Sequence, residues 1–497
     1  MMSDTARLRR ERWIVATVIT FLVVLRSVVF VFWEQSFFDS DQAITGLMAK
    51  HLSEGRAFPL FYYAQNYMLA VEAWITAPIF FVAGASNAGL KLPMVAINIA
   101  VALLLLRTLE REVGLRPALA MVPVLCFALP APGTAAFFMH TNGGSIEPFL
   151  YVILIWLTRK RPAWCGLIIG IGVLHRDFTL YGVAALLTIG LLQRSLFTRE
   201  GVRHHLVMLR TTAEVWLVAQ WLKVYSSAAG PGTTIEDVYH RDGLGELLIR
   251  TCIDIGTIPI GAWRLFARHW PMLFGVQPQP LYQFGIESPT SQGAPGAWLV
   301  LVAVVAIPTA VIAARLITDR SWKAEYSFPA YLILIGLFSA FGYAVAKCGE
   351  VSIILMRYDL LSVLGLVGLG AWFLAIAQSR GLRAVWIGGT VGLTVLALVA
   401  HISLLRKYIV NAPVGTKQLI IQYLDSRGIK YASADYWTAY PVSFLSNERI
   451  IVASTEVVRI KEYQRIVAEH HSESVLISRT ACDGGSRLLP GLYVCPP

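Results

Sequence analysis

Eleven apolar runs follow one another along this chain, near residues 13 to 33, 92 to 106, 117 to 130, 145 to 158, 163 to 174, 178 to 193, 211 to 225, 297 to 316, 327 to 346, 355 to 377 and 384 to 405. In hydrocarbon a segment must satisfy every backbone N–H and C=O internally, which leaves helices and closed barrels, and continuous apolar runs without alternation select helices. The composition agrees: 56% of residues are hydrophobic, 15% are charged and the mean hydropathy is +0.60, against about 25% charged in soluble domains. The sequence therefore predicts a polytopic α-helical membrane protein with about eleven transmembrane helices. Several runs are shorter than the roughly 20 residues a perpendicular crossing needs, so they extend into polar neighbours or cross where the bundle is thin. The net charge of +11 sits in clusters between the runs, a pattern that orients the chain against anionic lipid headgroups and does not point to nucleic acid.

Arg7, Arg9, Arg10 and Arg12 precede the first run. They hold the N-terminus in the cytoplasm and make the run a retained signal anchor, too long for a cleavable h-region. Residues 71 to 86 are apolar too, but counting them as a crossing would bring Arg107, Arg111 and Arg116 to the outer face. Read as interfacial or re-entrant, this stretch leaves every basic loop inside, including Arg159-Lys160-Arg161 and the loops at 194–210, 315–323 and 380–383. The transmembrane part is then 1–405, with a first outer loop at 34–91 and a Gly- and Pro-rich outer insertion at 226–297 carrying an amphipathic piece at 244–255. Residues 406–497 read as an outer-face soluble α/β domain. Its expected helices are 416–426, stopped at Gly428, and 459–469, and its expected strands are 429–432, 449–453 and 474–478. Cys482 and Cys495 suit a disulfide in an oxidising compartment, while the other four cysteines read as small core residues.

Chemistry gathers on the predicted outer face. Phe37-Phe38-Asp39-Ser40-Asp41-Gln42 follows the first run. Ile44, Leu47, Met48 and Leu52 then recur at helical spacing opposite Gln42, Thr45 and Lys50, which predicts an amphipathic surface helix stopped at Gly55. One of the two aspartates caps that helix, or serves the chemistry, or does both. Tyr62-Tyr63-Ala64-Gln65-Asn66-Tyr67 and Glu72 come next, then His140-Thr141-Asn142-Gly143-Gly144-Ser145-Ile146-Glu147. Arg26 lies inside the first span and needs a partner there, either Glu72 or Glu147 or a lipid phosphate. His175-Arg176-Asp177 reads as a local ion pair. Arg357, followed by Tyr358, is placed to hold a phosphate, because a guanidinium is a planar, permanently charged, bidentate donor. The alternative for Arg357 is a salt bridge to Asp359 or to Glu350 in Lys347-Cys348-Gly349-Glu350.

These segments resemble the membrane glycosyltransferases of the GT-C superfamily, in particular the bacterial relatives of protein O-mannosyltransferases and of the lipid A aminoarabinose transferase. The resemblance runs through Phe38-Asp39-Ser40-Asp41-Gln42-Ala43, the helix to Gly55, Gln65-Asn66-Tyr67, Glu72, the loop ending at Glu147 and Arg357-Tyr358. It covers roughly the first 190 residues well and the rest thinly. It departs from the aminoarabinose transferases in lacking their lysine-and-double-proline stretch after Tyr67, and in having Asp-Ser-Asp for the commoner Asp-Glu.

The resemblance implies a GT-C-like fold with outer juxtamembrane helices. It implies an inverting transfer of a hexosyl or pentosyl group from a polyprenyl-phosphate-linked sugar to an acceptor hydroxyl, in a bacterial inner membrane. The acceptor is a cell-envelope glycan, a lipid or a protein. Asp41 matches the loop acid that serves as general base, with Asp39 beside it; an ordinary aspartate is a weak base, so desolvation or a like-charged neighbour would strengthen it. Arg357 and Arg26 would steady the departing phosphate. Glu72, His140, Asn142, Glu147, Gln65 and Tyr358 would line the substrate site. Some relatives use a divalent metal, which this sequence neither requires nor excludes. The aromatics of Ala434-Asp435-Tyr436-Trp437-Thr438-Ala439-Tyr440 either stack on sugar or build a small core. A transporter or lipid flippase would share the many spans, but predicts midplane ionisable residues and repeated halves. A noncatalytic scaffold would leave the acidic loop unexplained.

Overall fold

The computed structural model describes residues 4–33, 38–65, 67–142, 145–237, 255–276, 282–283, 286–287, 296–319, 323–346 and 354–496. The amphipathic piece expected at 244–255 and the segment Lys347 to Glu350 lie outside the described residues, apart from Ile255. The chain is a multi-pass helical membrane protein, and each of the eleven apolar runs is helical.

Their lengths differ. Among the described residues, six helices are by themselves long and apolar enough to cross a bilayer: Thr5–Phe32, Asn87–Val113, Ala297–Thr318, Ala324–Val345, Arg357–Ile376 and Arg380–Val410. A seventh crossing arises if Pro117–Ala128 and Pro132–Phe138, bent by 84° between them, form one broken span. Glu147–Thr158, Pro162–His175 and Thr179–Leu192 are apolar but only 12 to 14 residues long. Arg199–Leu222 is long, but Arg199, Arg203, His204, His205, Arg210 and Glu214 dilute its hydropathy.

The first helix, α1 (Asp4–Phe32), separates two ends of different character. At its N-terminal end Arg12 pairs with Glu110 at 2.7 Å, Arg107 pairs with the same carboxylate at 3.0 Å, and Glu112 accepts from Arg159 at 3.1 Å. At the other end lie α2 (Ser40–Ser53) and α3 (Val71–Ala83). Both ends of α3 meet this same end of the bundle. Leu69 N–H, just before it, donates to Leu174, and Asn87, just after it, reaches the Val31 carbonyl. With 13 residues including Pro78, α3 starts and ends at this one end of the bundle.

The surface helix is the larger surprise. Its apolar side is buried as the pattern requires, but Gln42, Thr45, Lys50 and His51 are buried as well. The C-terminal segment covers them. A helix at Tyr436–Leu445 lies on α2, and the Phe444 ring comes down on Gly46 so closely that a Cβ there would meet ring carbon at 2.5 Å. Polar side chains that a one-helix reading turns to water are turned instead to a second layer of protein.

That C-terminal segment holds a five-stranded sheet in the spatial order Ile451–Ser454, Tyr431–Ala434, Val475–Ser478, Leu492–Cys495, Ser486–Leu489. The first three strands are parallel and the last two antiparallel to their neighbours. Helices at Thr416–Ser426 and Lys461–Glu469 fall where the sequence puts them. Cys482 and Cys495 form a disulfide that ties the terminal hairpin.

Candidate active site

Asp39 ends the chain's approach to α2 in an extended conformation (φ −112°, ψ −178°) and caps the helix, its Oδ1 accepting from Gln42 N–H at 3.1 Å. Its Oδ2 takes the other side of the role, lying 3.0 Å from His140 Nε2. Burial raises the Asp39 carboxyl, but His140, the Gln42 N–H and Arg357 outweigh it and hold it at about 2. Asp39 is thus a fixed anion with both oxygens engaged.

Asp41 stands one residue further, in the first helical turn, and has a different environment. Its Oδ1 accepts from Tyr436 OH at 2.7 Å, its Oδ2 lies 3.3 Å from Asn142 Nδ2, and the Arg357 guanidinium is 3.9 Å from the same Oδ2. Tyr62 OH donates to the Asp41 carbonyl at 3.0 Å, fixing the backbone beneath. The Asp41 and Arg357 side chains retain 22% and 24% of their exposure, so this carboxylate is sheltered yet open to a ligand. A carboxylate with Oδ1 held by Tyr436 and Oδ2 beside Asn142 and a permanent cation can take a proton at the remaining lone pair of Oδ2 while the cation faces an anion.

Arg357 also lies over the Tyr358 ring at 5.2 Å. The alternative partner Asp359 is buried and accepts from Trp270 Nε1 at 3.0 Å, so the predicted local bridge does not form. Gln65 serves from a distance: with its amide oxygen turned inward it accepts from Arg459 at 3.2 and 3.3 Å. Arg459 also donates to the carbonyls of Tyr63 and Ala64 and stacks on Tyr62 at 5.6 Å.

Glu72 and Glu147 form a second, deeper group. Glu72 Oε2 bonds His175 Nε2 at 2.9 Å, and His175 Nδ1 bonds Tyr151 OH at 2.9 Å. Glu147 accepts from the N–H groups of Ser145 and Ile146 at 3.3 and 3.2 Å. It holds the turn whose earlier residues, His140 and Asn142, contact the two aspartates. The expected ion pair within His175-Arg176-Asp177 is replaced by this cross-chain contact, and Arg176 points to the Asn142 carbonyl at 3.5 Å.

Arg26 is the plainest correction. It is buried, donates to Asn98 Oδ1 and the Phe127 carbonyl, and lies between the Phe127 and Phe138 rings at 5.2 and 5.0 Å. It reaches neither glutamate. Amide and carbonyl oxygens with two aromatic faces satisfy an intramembrane guanidinium without any carboxylate.

Three contributors escaped the sequence reading. Tyr436 was noted only as an aromatic, and Arg459 and Lys91 carried no motif. Lys91 donates to Gln42 Oε1 and to the Met139 carbonyl, and lines a small cleft with Phe30, Trp33, Phe38 and Met139. A buried lysine between two apolar residues of a span is the signal that marked it. Among the described residues no group of three or more His, Cys, Asp or Glu side chains gathers as a cation cage.

No family model matches the sequence, and no curated protein matches it. Among solved structures, ArnT from Cupriavidus metallidurans in the apo state is similar over 93% of this chain and 92% of its own, at 13% identity and a TM-score of 0.42. The same protein bound to undecaprenyl phosphate is similar over 99% and 98%, at 12% identity and 0.39. Arabinosyltransferase EmbB from Mycobacterium smegmatis is similar over 83% of this chain and 42% of its own, at 15% and 0.37.

Proposed function

We propose that this protein is an inverting glycosyltransferase that moves a sugar from a polyprenyl-phosphate donor to an acceptor hydroxyl on the outer face of a bacterial inner membrane. One observation carries the reading: Asp41 presents an oxygen 3.9 Å from the Arg357 guanidinium at the end of the bundle opposite the basic cluster of α1. The acceptor oxygen attacks C1 of the sugar and gives its proton to the Asp41 oxygen. The C1–O bond to phosphate breaks, its electron pair stays on the phosphate oxygen, and Arg357 faces the charge that accumulates there. An inverting displacement needs a base for the incoming hydroxyl and positive charge near the departing phosphate, and Asp41 and Arg357 supply these two groups.

Asp39 acts through position. Its cap starts α2 and its contact with His140 fixes the loop that brings Asn142 to Asp41. On the same reading residues 406–497 are an outer α/β domain set over the site. The donor's isoprenoid chain would follow the apolar sides of the helices, and its phosphate would meet Arg357. Sugar and acceptor are read out by experiment. Purified protein in liposomes is incubated with a panel of polyprenyl-phosphate sugars and envelope extract, and released polyprenyl phosphate is followed by mass spectrometry. Release from one donor that falls about 10²- to 10⁴-fold in Asp41→Asn supports the reading. No release from any donor defeats it and makes lipid flipping the next assay.

A further inference from the structure

We infer that Tyr436, from the C-terminal segment, is a positioning residue for Asp41, so that the reacting centre is shared between the helical bundle and a part of the chain 395 residues away. The inference rests on the reading of Asp41 as the base, and deepens it.

The observation is a closed circuit of contacts. Tyr436 OH donates to Asp41 Oδ1 at 2.7 Å. The Arg459 guanidinium lies close enough to the Tyr436 hydroxyl to act on it electrostatically and is itself held by the carbonyls of Tyr63 and Ala64, by Gln65 and by the face of Tyr62. Tyr62 OH returns to the Asp41 carbonyl at 3.0 Å. Asp41 is therefore gripped at backbone and carboxylate by one connected set of groups. Two of that set, Tyr436 and Arg459, come from the C-terminal segment.

The carboxylate has two oxygens, and a base needs one free in a fixed direction. Tyr436 is 6% exposed and cannot swing away without lifting its helix. Its T-shaped neighbours Trp437 and Tyr440, at 4.9 and 5.5 Å, lock the ring. By occupying Oδ1, Tyr436 leaves Oδ2 to face Arg357 and the incoming hydroxyl. Without that hydroxyl the carboxylate rotates about its Cβ–Cγ bond, and the base spends part of its time aimed away.

The second observation is how firmly the segment is seated. Ser40 Oγ donates to the Tyr436 carbonyl at 2.5 Å, next to Asp41 in sequence. The start of the outer insertion wedges into the same seam: Ala64 N–H donates to Ala228, and Lys461 N–H donates to Ala229.

The test compares wild type with Tyr436→Phe and Tyr423→Phe, whose lost hydroxyl meets Ser486 away from the circuit, in liposomes carrying the active donor. Tyr436→Phe keeps the ring and deletes one oxygen, so it should fold and dock as wild type. The expected result is a fall in kcat of about tenfold or more with donor KM within about twofold, while Tyr423→Phe keeps kcat. Unchanged kcat in Tyr436→Phe overturns the inference while leaving the transferase reading intact. A second readout does not need turnover: water-soluble carbodiimide labels the Asp41 carboxyl, measured by peptide mass spectrometry. Faster labelling in Tyr436→Phe than in wild type and Tyr423→Phe supports the positioning contact, and equal labelling overturns it. A wild type that turns over no donor defeats the transferase reading, and the labelling then decides the contact by itself.

Discussion

Glu448 decides whether the C-terminal segment stays on α2. Its two oxygens receive Lys50 at 2.5 Å, Arg56 at 2.9 Å, His51 Nε2 at 3.0 Å and Tyr463 OH at 2.8 Å, and its side chain is 8% exposed. Burial raises its carboxyl, but His51 and Lys50 more than reverse this and hold it well below the usual carboxylate range. Glu448→Gln keeps the shape, removes the charge, and turns an NH₂ toward groups that themselves donate. Breaking one side of a buried ion pair costs about 3–5 kcal/mol. Lys50 keeps Glu54 at 2.7 Å, and Arg56, about a third exposed, keeps Glu54 and Glu462, so the lower end of that range applies. A loss of about 3 kcal/mol makes undocking roughly 100-fold more frequent.

Hydrogen exchange of the α2 amides, followed by mass spectrometry in detergent, reads that opening. The expected result for Glu448→Gln is faster exchange across residues 43–51 by about two orders of magnitude, with α1 and α4 (Asn87–Thr108) unchanged. Exchange within about threefold of wild type would refute the assignment of Glu448 as the anchor. A rise shared equally by α1 and α4 would show that the whole bundle, not the seam, had loosened.

Arg357→Gln should lower kcat/KM by about 10²- to 10³-fold through loss of charge stabilisation, and Arg357→Lys should restore only part of it, both measured as released polyprenyl phosphate. Arg26→Met should leave the Asn98 and Phe127 oxygens without their donor and cost about 1–3 kcal/mol, seen as a lower melting midpoint, with kcat of the folded fraction unchanged. A kcat loss there would return Arg26 to the site. His140→Phe removes the group that holds Asp39 at about 2, below its ordinary value of about 3.9. A depressed carboxyl stabilises the fold above its unfolded value and loses that contribution as pH falls through its folded value. The melting-midpoint gap between wild type and His140→Phe should therefore be open just above pH about 4 and close toward pH about 2.

The helical bundle was legible because apolar runs report burial in lipid one segment at a time. The length of each helix was less so, since Glu147–Thr158 and Pro162–His175 are as apolar as the long spans but only 12 and 14 residues long. Asp39, Asp41 and Arg357 could be chosen because an acid or guanidinium at the end of an apolar run is expensive wherever it goes. Arg26 was chosen on the same ground and satisfied that cost with Asn98, an amide that carries no charge to betray it. Tyr436, Arg459 and Glu448 were hidden for another reason. Each is ordinary in its own neighbourhood, and only register between segments nearly 400 residues apart gives it meaning. The Tyr436–Leu445 helix was missed locally as well, because Pro441 and the aromatics around it speak against a helix that tertiary packing on α2 supplies.

The buried polar side of α2 also sets a timetable. At about 5–20 residues per second, the 395 residues between Asp41 and Tyr436 take on the order of 20–80 s to synthesise. Throughout that interval Lys50 and His51 lack the Glu448 carboxylate that meets them in the finished fold. The cover on α2 waits for the segment beyond residue 430 to be made and folded. Such late, long-range closure is slow. It also means that a newly made chain presents Asp41 without the Tyr436 hydroxyl that meets it in the finished fold.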